Sequence, residues 1–280
     1  MTAPLTVAVA GERAAVEQHR AVLSSVPDRF RPAVHAGDVT LVDASVAGWV
    51  KKLEAAARQG VRGILVAAAG AADRSDAVRA AGAVARDAGV VVVVDRGRSA
   101  DRAWREVAPS WRADAATAAL LDSTASMTHE GLDHVLLEQL ALVRAVVGRP
   151  DRLSTATLSE SAYQISGTAG TMRISLSAAP GPDPALAVDL IGVQRRRRAQ
   201  FDGLGLATPA RISEFDQAGA RTGPLHYESP HRVAWLELHA ALTDIGVGSP
   251  RPDLDDLAED IAWARYLLDA DGDHQDVSPS

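Results

Sequence analysis

The most informative absence in this 280-residue sequence is cysteine, of which there is none. Without cysteine the chain has no disulfide framework, no thiolate ligands for zinc and no cysteine nucleophile. Lysine is almost absent as well: of the 29 basic residues only Lys51 and Lys52 are lysine, and they are neighbours. A mechanism that needs a lysine elsewhere in the chain is therefore excluded.

The sequence also lacks long hydrophobic runs and an excess of basic residues. No stretch approaches the roughly 18 apolar residues of a membrane span, and the start Met1–Pro4 lacks the basic segment of a signal peptide. The net charge of −7 argues against a nucleic-acid partner, because such proteins normally present a basic face. We therefore expect a cytoplasmic protein that binds neither membranes nor nucleic acid.

Short apolar runs alternate with helical patterns through the first 125 residues. Five runs have the length and β-branched content of strands: Leu5–Ala10, Phe30–Val34, Val39–Val42, Gly63–Ala67 and Val90–Val94. The run Ala115–Leu121 is a candidate for a further strand of the same sheet. Strands that alternate with helices at this spacing predict βαβ crossovers, and hence a Rossmann-like α/β domain at 1–125 with a parallel sheet.

The pattern changes after residue 125. Glu130–Val147 predicts one long amphipathic helix, which ends at a glycine followed closely by a proline. Residues 153–215 consist of short runs separated by glycine and proline, typical of antiparallel strands. Helices at 229–245 and 253–268 complete a second domain, of the α+β class, at 126–268. Residues 269–280 are acidic and are expected to be a disordered tail.

This order of elements, together with three local motifs, resembles the glucose–fructose oxidoreductase/inositol dehydrogenase (Gfo/Idh/MocA) family. Ala141–Pro150 is similar to the family's helix ending in L-L-G-x-P, and Gly170–Leu176 to its strand G-T-L-x-x-S. Val188–Gly192 is similar to the strand before the family's small glycine turn. The resemblance covers most of residues 5–268. It implies an NAD(P)-binding first domain, oxidoreductase chemistry on a sugar or polyol, and a dimer formed through 153–215.

The resemblance implies a phosphate-binding turn after the first strand, whose glycines let the pyrophosphate approach a helix N-terminus. Gly11 is retained, but Arg13 and Val16 stand at the second and third glycine places, and Glu12 adds negative charge. The side chain of Arg13 obstructs the pyrophosphate unless its guanidinium binds a phosphate instead. Asp43 is the candidate ribose-binding acid, with a turn aspartate as the alternative. Binding of NAD(P) is therefore expected to be weak or absent.

The family's catalytic Glu-Lys-Pro follows the fifth strand, and its lysine moves a proton beside the carbon that exchanges hydride. After the predicted strand Val90–Val94, this chain has Asp95-Arg96-Gly97. Arginine stays protonated near neutral pH, so Arg96 can hold an anion but cannot shuttle a proton. Asp95 is an alternative candidate base.

The family's third motif is a helix that carries an aspartate, a histidine one turn later, and a second aspartate three residues on. Counting back from Gly148 places His134, Glu138 and Ala141 there. The acid and the histidine are exchanged, and the last acid is lost. Since His134 and Glu138 lie one turn apart, the carboxylate could orient the imidazole for acid–base work. The alternative is an exposed pair, because both residues fall opposite the apolar stripe of the helix.

Two further patterns are similar to binding sites. His129–Asp133 imitates a His-Glu-x-x-His metal motif, but no third or fourth ligand is evident, so no metal is expected. The run Arg195–Arg198 lies in a β pattern that sets Arg195 and Arg197 on one face and the other two on the opposite face. It is interpreted as an anion site, a row of interface ion pairs or a solvated strand edge.

Three functions remain open from the sequence. The first is a relative that has lost hydride transfer and binds a sugar-like or anionic small molecule, or serves as a partner subunit. In that case it forms a homodimer or a hetero-oligomer with an active paralogue. The second is an active NAD(P)-dependent oxidoreductase with atypical catalytic residues. The third is a redox-independent lyase or isomerase that uses His134 and Glu138, or Asp95, as the base.

Overall fold

The computed structural model describes residues 3–9, 14–33, 36–128, 131–203, 208–243 and 253–269. These residues divide into two compact units, each made of segments that are distant in sequence. One unit contains the chain up to Gly97 and the segment from Pro230 to Ile261; the other contains Arg98 to Ser229 and the residues from Ala262 onward. This division differs from the predicted boundary at residue 125, because part of the C-terminal region belongs to the first unit.

The first unit is built on a parallel, Rossmann-like sheet, as predicted. Its strands are β1 (Leu5–Val9), β2 (Phe30–Ala33), β3 (Val39–Asp43), β4 (Gly63–Ala67) and β5 (Val91–Val94). The sheet order is β2-β1-β3-β4-β5. The helices are α1 (Ala14–Ser24), α2 (Trp49–Arg58), α3 (Ser75–Asp87) and, from the C-terminal region, α6 (Pro230–Thr243). Every residue of β4 is buried, as expected for a central strand covered on both faces.

Helix α6 completes the core of the first unit. Trp235 is fully buried, and its ring packs edge-on against Phe30 with ring centroids 5.1 Å apart. Gly63 at the start of β4 leaves space for this helix, since a Cβ there would lie 2.8 Å from Cδ1 of Leu242. The core of the first unit therefore depends on residues that follow the whole second sheet in sequence.

The second unit contains a mixed, mostly antiparallel sheet of eight strands. They are β6 (Ala118–Met127), β7 (Arg152–Leu158), β8 (Tyr163–Ala169), β9 (Met172–Pro180), β10 (Ala185–Gly192), β11 (Arg196–Asp202), β12 (Arg211–Asp216) and β13 (Gly219–Thr222). The order is β13-β12-β11-β10-β6-β9-β8-β7, and β6 and β9 form its parallel pair. The prediction that the run Ala115–Leu121 adds to the first sheet is wrong, because β6 pairs with β10 and β9.

Helices α4 (Arg102–Ala115) and α5 (Leu132–Val147) belong to the second unit, and α7 (Asp253–Leu268) is divided between the units after Ile261. Ile174 and Leu176 of β9, which lie in the segment 153–215 expected to form the dimer, are buried within this unit and belong to its core. None of the helices in the described ranges combines the length and apolar character needed to cross a membrane. The predicted tail, apart from Asp269, lies outside the described residues.

Candidate functional site

A buried cluster of ionisable side chains lies at the carboxyl end of β5 in the first unit. Asp95 follows the strand directly, and its Oδ2 lies 3.2 Å from Nε2 of His19 in α1. The same oxygen accepts a hydrogen bond from Nδ1 of His231 in the first turn of α6. Oδ1 accepts the backbone N–H of Gly97 at 3.0 Å. The carboxylate thus receives protein donors from three segments and ties α1 and α6 to the sheet.

Trp235 determines the tautomer of His19. The indole nitrogen Nε1 of Trp235 lies 3.1 Å from Nδ1 of His19. An indole N–H can only donate, so Nδ1 must accept, and the proton of a neutral His19 is assigned to Nε2, facing Asp95. Trp235 and Asp95 therefore determine which ring nitrogen of this buried histidine accepts a hydrogen bond and which one donates.

The carboxyl group of Asp95 is strongly perturbed. Burial on its own raises the pKa of Asp95, but the charge of His231 and hydrogen bonds from His19 and His231 outweigh burial. The pKa of Asp95 consequently lies well below its ordinary value. Asp95 is a permanently ionised anchor near neutral pH, which makes it a poor general base.

The same cluster has the composition of a metal site but lacks the hydrogen-bond acceptor that a histidine ligand needs beside its second ring nitrogen. His19, Asp95 and His231 offer ligand atoms within 4.8 Å of one another, as in two-histidine, one-carboxylate centres. Coordination through Nε2 of His19 requires its proton to move to Nδ1, where the N–H of Trp235 already points. Histidine ligands normally donate their second N–H to an acceptor, and an indole N–H is not one. The donor set fits a hydrogen-bonded cluster better than a metal centre.

Arg96, the next residue, is used in a second buried ion pair. Its Nη1 lies 2.8 Å from Oδ2 of Asp260 in α7, and the side chain of Asp260 is 2% exposed. A buried carboxylate is costly without a cation beside it. The charge of Arg96 therefore stabilises Asp260 inside the first unit.

The order of strands gives the place of each site residue in the sheet. In the Rossmann order 3-2-1-4-5-6, the first strand lies between the second and the fourth. Here β1 lies between β2 and β3, so β3, β4 and β5 correspond to strands 4, 5 and 6 of the Rossmann order. Arg96, expected after Rossmann strand 5, follows β5, which corresponds to Rossmann strand 6. Rossmann strand 5 corresponds to β4, which ends at Ala67 and is followed by Ala68.

Ala68 has an unusual backbone conformation. Its φ is 51°, and among the described residues it is the one non-glycine residue with a positive φ. A left-handed conformation costs an L-residue roughly 1–2 kcal/mol. Backbone strain of this kind persists only where the surrounding structure imposes it, and it is often found at functional sites.

The residues considered for cofactor binding are only partly described. Gly11 and Arg13 lie outside the described residues. Asp43 ends β3, and its Oδ1 accepts from the backbone N and the hydroxyl of Ser45 at 3.0 and 2.6 Å. These contacts are those of a turn aspartate. In a βαβ unit the ribose-binding acid follows the strand after the first helix, which is β2 rather than β3.

In the second unit, Glu138 is paired with a buried arginine. Arg98 and Glu138 have side chains 3% and 5% exposed, and the guanidinium Nη1 is bound to Oε2 of the carboxylate. Oε1 accepts the backbone N–H of Arg98 at 3.2 Å. His134, one turn earlier in α5, is half-buried. The alternative of an exposed pair is therefore wrong for Glu138, whose charge is balanced by Arg98.

The residue after Glu138 forms a buried polar network that sequence reasoning missed. Gln139 donates from Nε2 to the carbonyls of Ser123 and Ser177 at 3.2 and 3.0 Å, and its Oε1 accepts the hydroxyl of Tyr163 at 2.6 Å. Burial, reinforced by the negative charge of Glu138, raises the pKa of Tyr163. The hydroxyl therefore remains a donor. A glutamine inside an apolar helical stretch was the available signal.

No local sequence pattern indicates the cluster around Asp95. His231 lies 136 residues after Asp95, and His19 lies on α1, which precedes four further strands of the same sheet. Asp95 is a candidate because it directly follows a strand, whereas both histidines are isolated in sequence. Only the packing of α1 and α6 brings them to the carboxylate. His129–Glu130 of the metal-like string lies outside the described residues.

Comparison with known proteins identifies similar folds. No family model and no curated protein sequence matches the chain. An inositol dehydrogenase homologue from Azotobacter vinelandii, in complex with NADH and myo-inositol, has a TM-score of 0.74 at 13% identity, covering 95% of this chain and 94% of that one. An oxidoreductase from Pseudomonas syringae has a TM-score of 0.73 at 12% identity, covering 95% and 96%.

A UDP-N-acetylglucosamine 3-dehydrogenase from Acidithiobacillus ferrooxidans has a TM-score of 0.70 at 12% identity, covering 94% of this chain and 96% of that one. The chain therefore shares the fold of these oxidoreductases over nearly its full length. At such low identity the likeness describes the fold, and the site residues carry the argument on function.

Proposed function

We propose that this chain is a Gfo/Idh/MocA-type protein that has lost hydride transfer and acts as a small-molecule-binding protein or accessory subunit. The shared oxidoreductase fold and the motifs at 141–150, 170–176 and 188–192 support the family. The observation that supports the loss of activity is the presence of alanine at position 68. Ala68 follows β4, the strand that corresponds to strand 5 of the Rossmann order.

The family's proton-transferring lysine follows strand 5 of that order. Here β4 is followed by Ala68, whose methyl side chain can neither donate nor accept a proton. The chain's two lysines, Lys51 and Lys52, are both exposed residues of α2. Neither precedes or follows a strand end, so neither takes over the role of the missing lysine.

The other charged candidates are held in buried contacts. Arg96 is paired with Asp260, and Glu138 is paired with Arg98. The carboxylate of Asp95 is in contact with the ring nitrogens of two histidines. Separating a buried ion pair leaves an uncompensated charge, which is strongly unfavourable. These residues therefore favour structural roles over proton transfer, which also argues against a lyase or isomerase based on Glu138.

Titration with NADH and NADPH tests this proposal. Tryptophan fluorescence and melting temperature should show no saturable response to either nucleotide, whereas an established NADH-binding dehydrogenase run in parallel should show one. Binding of either nucleotide in the micromolar range would overturn the proposal. It would instead favour an active oxidoreductase with atypical catalytic residues.

The proposed partner is a second copy of this chain or an active paralogue, bound through the second sheet. Since Ile174 and Leu176 of β9 are buried, the contact would use the face bearing Arg173 and Ser175, which alternate with them. Light scattering should give twice the mass of one chain, and a monomer at all concentrations would rule out the homodimer.

A further inference from the structure

The buried carboxylate of Asp95 has no arginine or lysine beside it in the described part of the chain. Its side chain is 2% exposed, and its ion-pair partners are the imidazoles of His19 and His231. Arg96, the next residue, is paired with Asp260 instead. Because a buried charge is strongly unfavourable without an opposite charge beside it, one of the two histidines has to carry a compensating proton.

His19 is unable to carry this charge. Its Nδ1 accepts the indole N–H of Trp235 at 3.1 Å, whereas a charged imidazole has an N–H at both ring nitrogens and no acceptor. Protonation of His19 would therefore set two N–H groups against each other inside the core. Trp235 is held in place, because it is fully buried and packs edge-on against Phe30. His19 is accordingly neutral as long as its contact with Trp235 is intact.

His231 has the geometry of the charged partner. Its Nδ1 donates a hydrogen bond to Oδ2 of Asp95, and a carboxylate at this position favours the charged form of an imidazole. Burial raises the pKa of Asp95, and the charge of His231 is the largest of the effects that lower it. The rings of His231 and His19 have centroids 5.0 Å apart, so a charge on both would be repulsive. The compensating proton is therefore assigned to His231.

The elements packed against α6 bring no further charge to this point. They are α1, β4 and β5. The strands β4 and β5 are apolar throughout, and β5 leads directly into Asp95. On α1, His19 faces His231, whereas Glu17 and Arg20 pair with each other nearer the surface. The contact of His231 with Asp95 is thus a polar anchor at the start of a helix whose buried residues are apolar.

We propose that a single proton, held by His231, controls the docking of the first turns of α6 onto the sheet of the first unit. With this proton, His231 and Asp95 form a buried ion pair. Without it, the carboxylate is left between two neutral imidazoles, and the start of α6 is released so that the charge can be hydrated. The contact is therefore a switch that opens at alkaline pH.

The direction of the pH dependence follows from where the proton is bound. Below about pH 6.5 a histidine is charged even in the released helix, so the contribution of the ion pair to stability is fully present. Above that pH only the docked form holds the proton, and the contribution decreases until the docked His231 loses its proton as well. The proposal does not depend on the loss of hydride transfer.

Nitrogen–proton NMR of the histidine rings in the full-length chain tests the assignment directly. Near neutral pH both ring nitrogens of His231 should carry a proton, whereas His19 should carry one at Nε2 alone. His231→Gln identifies the signals of His231 by their loss. A neutral His231, a charged His19, or a His19 with its proton at Nδ1 would each overturn the proposal.

Amide hydrogen exchange at Ala234–Leu238 measures the release of α6. Opening releases one proton, so the opening constant, corrected for the intrinsic exchange rate, should rise about tenfold per pH unit between about pH 7 and pH 9. His231→Gln keeps a side-chain donor but cannot hold the charge, and it should abolish this dependence. His239→Gln is the matched control on the same helix, because the ring of His239 packs against Phe30.

The control should keep the pH dependence of the unchanged chain. A dependence that persists in His231→Gln, or that is absent from the unchanged chain, would overturn the proposal. The ring spectra of the unchanged chain decide the protonation states even if His231→Gln does not fold. Titration with nucleotides is a separate readout, so this proposal and the proposed function can fail independently.

Discussion

The buried pair of Arg98 and Glu138 makes a quantitative prediction about the stability of the second unit. Arg98→Met removes the guanidinium and leaves the carboxylate of Glu138, which is 5% exposed, without its cation. Breaking a buried ion pair in this way costs about 3–5 kcal/mol, much more than the 0–1 kcal/mol of an exposed pair. Arg98→Met should therefore lower the free energy of unfolding by about 3 kcal/mol or more.

Removal of the second charge should restore part of the loss. Glu138→Gln in the Arg98→Met background keeps an acceptor for the backbone N–H of residue 98, which now bonds Oε1 at 3.2 Å. With both charges gone, we expect the double variant to recover about 2 kcal/mol relative to Arg98→Met. The four proteins form a double-mutant cycle, measured by urea unfolding with tryptophan fluorescence and circular dichroism.

The matched control is the pair Arg58 and Glu54 on α2, whose side chains are 64% and 25% exposed. Arg58→Met should change stability by less than about 1 kcal/mol. If Arg98→Met costs no more than this control, or if the double variant is less stable than Arg98→Met, the assignment of a buried, mutually dependent pair is refuted.

Two further predictions concern the first unit. Ala68→Gly should stabilise the protein by roughly 0.5 kcal/mol, because the release of left-handed strain exceeds the cost of the added chain entropy. The control, Ala69→Gly, should destabilise the protein. A loss of stability in Ala68→Gly would show that the backbone at Ala68 is not strained. The pKa of Asp95 is lowered by folding, so its stabilisation is present above its ordinary pKa and is lost as pH falls below about 4. In Asp95→Asn the free energy of unfolding should depend less on pH below that value. If its pH dependence runs parallel in the two proteins, Asp95 is not stabilised by the two histidines.

Much of the architecture could be predicted from the sequence because it depends on local periodicity. Short β-branched runs such as Val90–Val94 and helical spacing such as that of residues 130–147 are set by neighbours in sequence. The domain boundary could not be found in this way. The pattern of Ala115–Leu121 fits a strand of either sheet, and its pairing with β10 and β9 is decided by segments more than fifty residues further on.

The candidate site was harder to predict than the fold. Asp95, Arg96 and Glu138 were identified as chemically important, but their partners were not. Arg98 lies 40 residues before Glu138, and Asp260 lies 164 residues after Arg96. Ion pairs over such separations depend on how helices pack, and no local motif records them. For the same reason the sequence analysis expects the family's lysine position after Val90–Val94. The strand order shows that β4, and not β5, corresponds to the strand before that lysine.

The sequence by itself determined which reactions this chain lacks the residues for. With no cysteine and only Lys51 and Lys52, it excludes thiol chemistry and a lysine after any strand of the first sheet. Only the tertiary structure decided what the remaining charged residues do. Burial makes an unpaired charge too costly to keep, so Arg96, Arg98 and Asp95 are each held by partners that packing brings from distant segments.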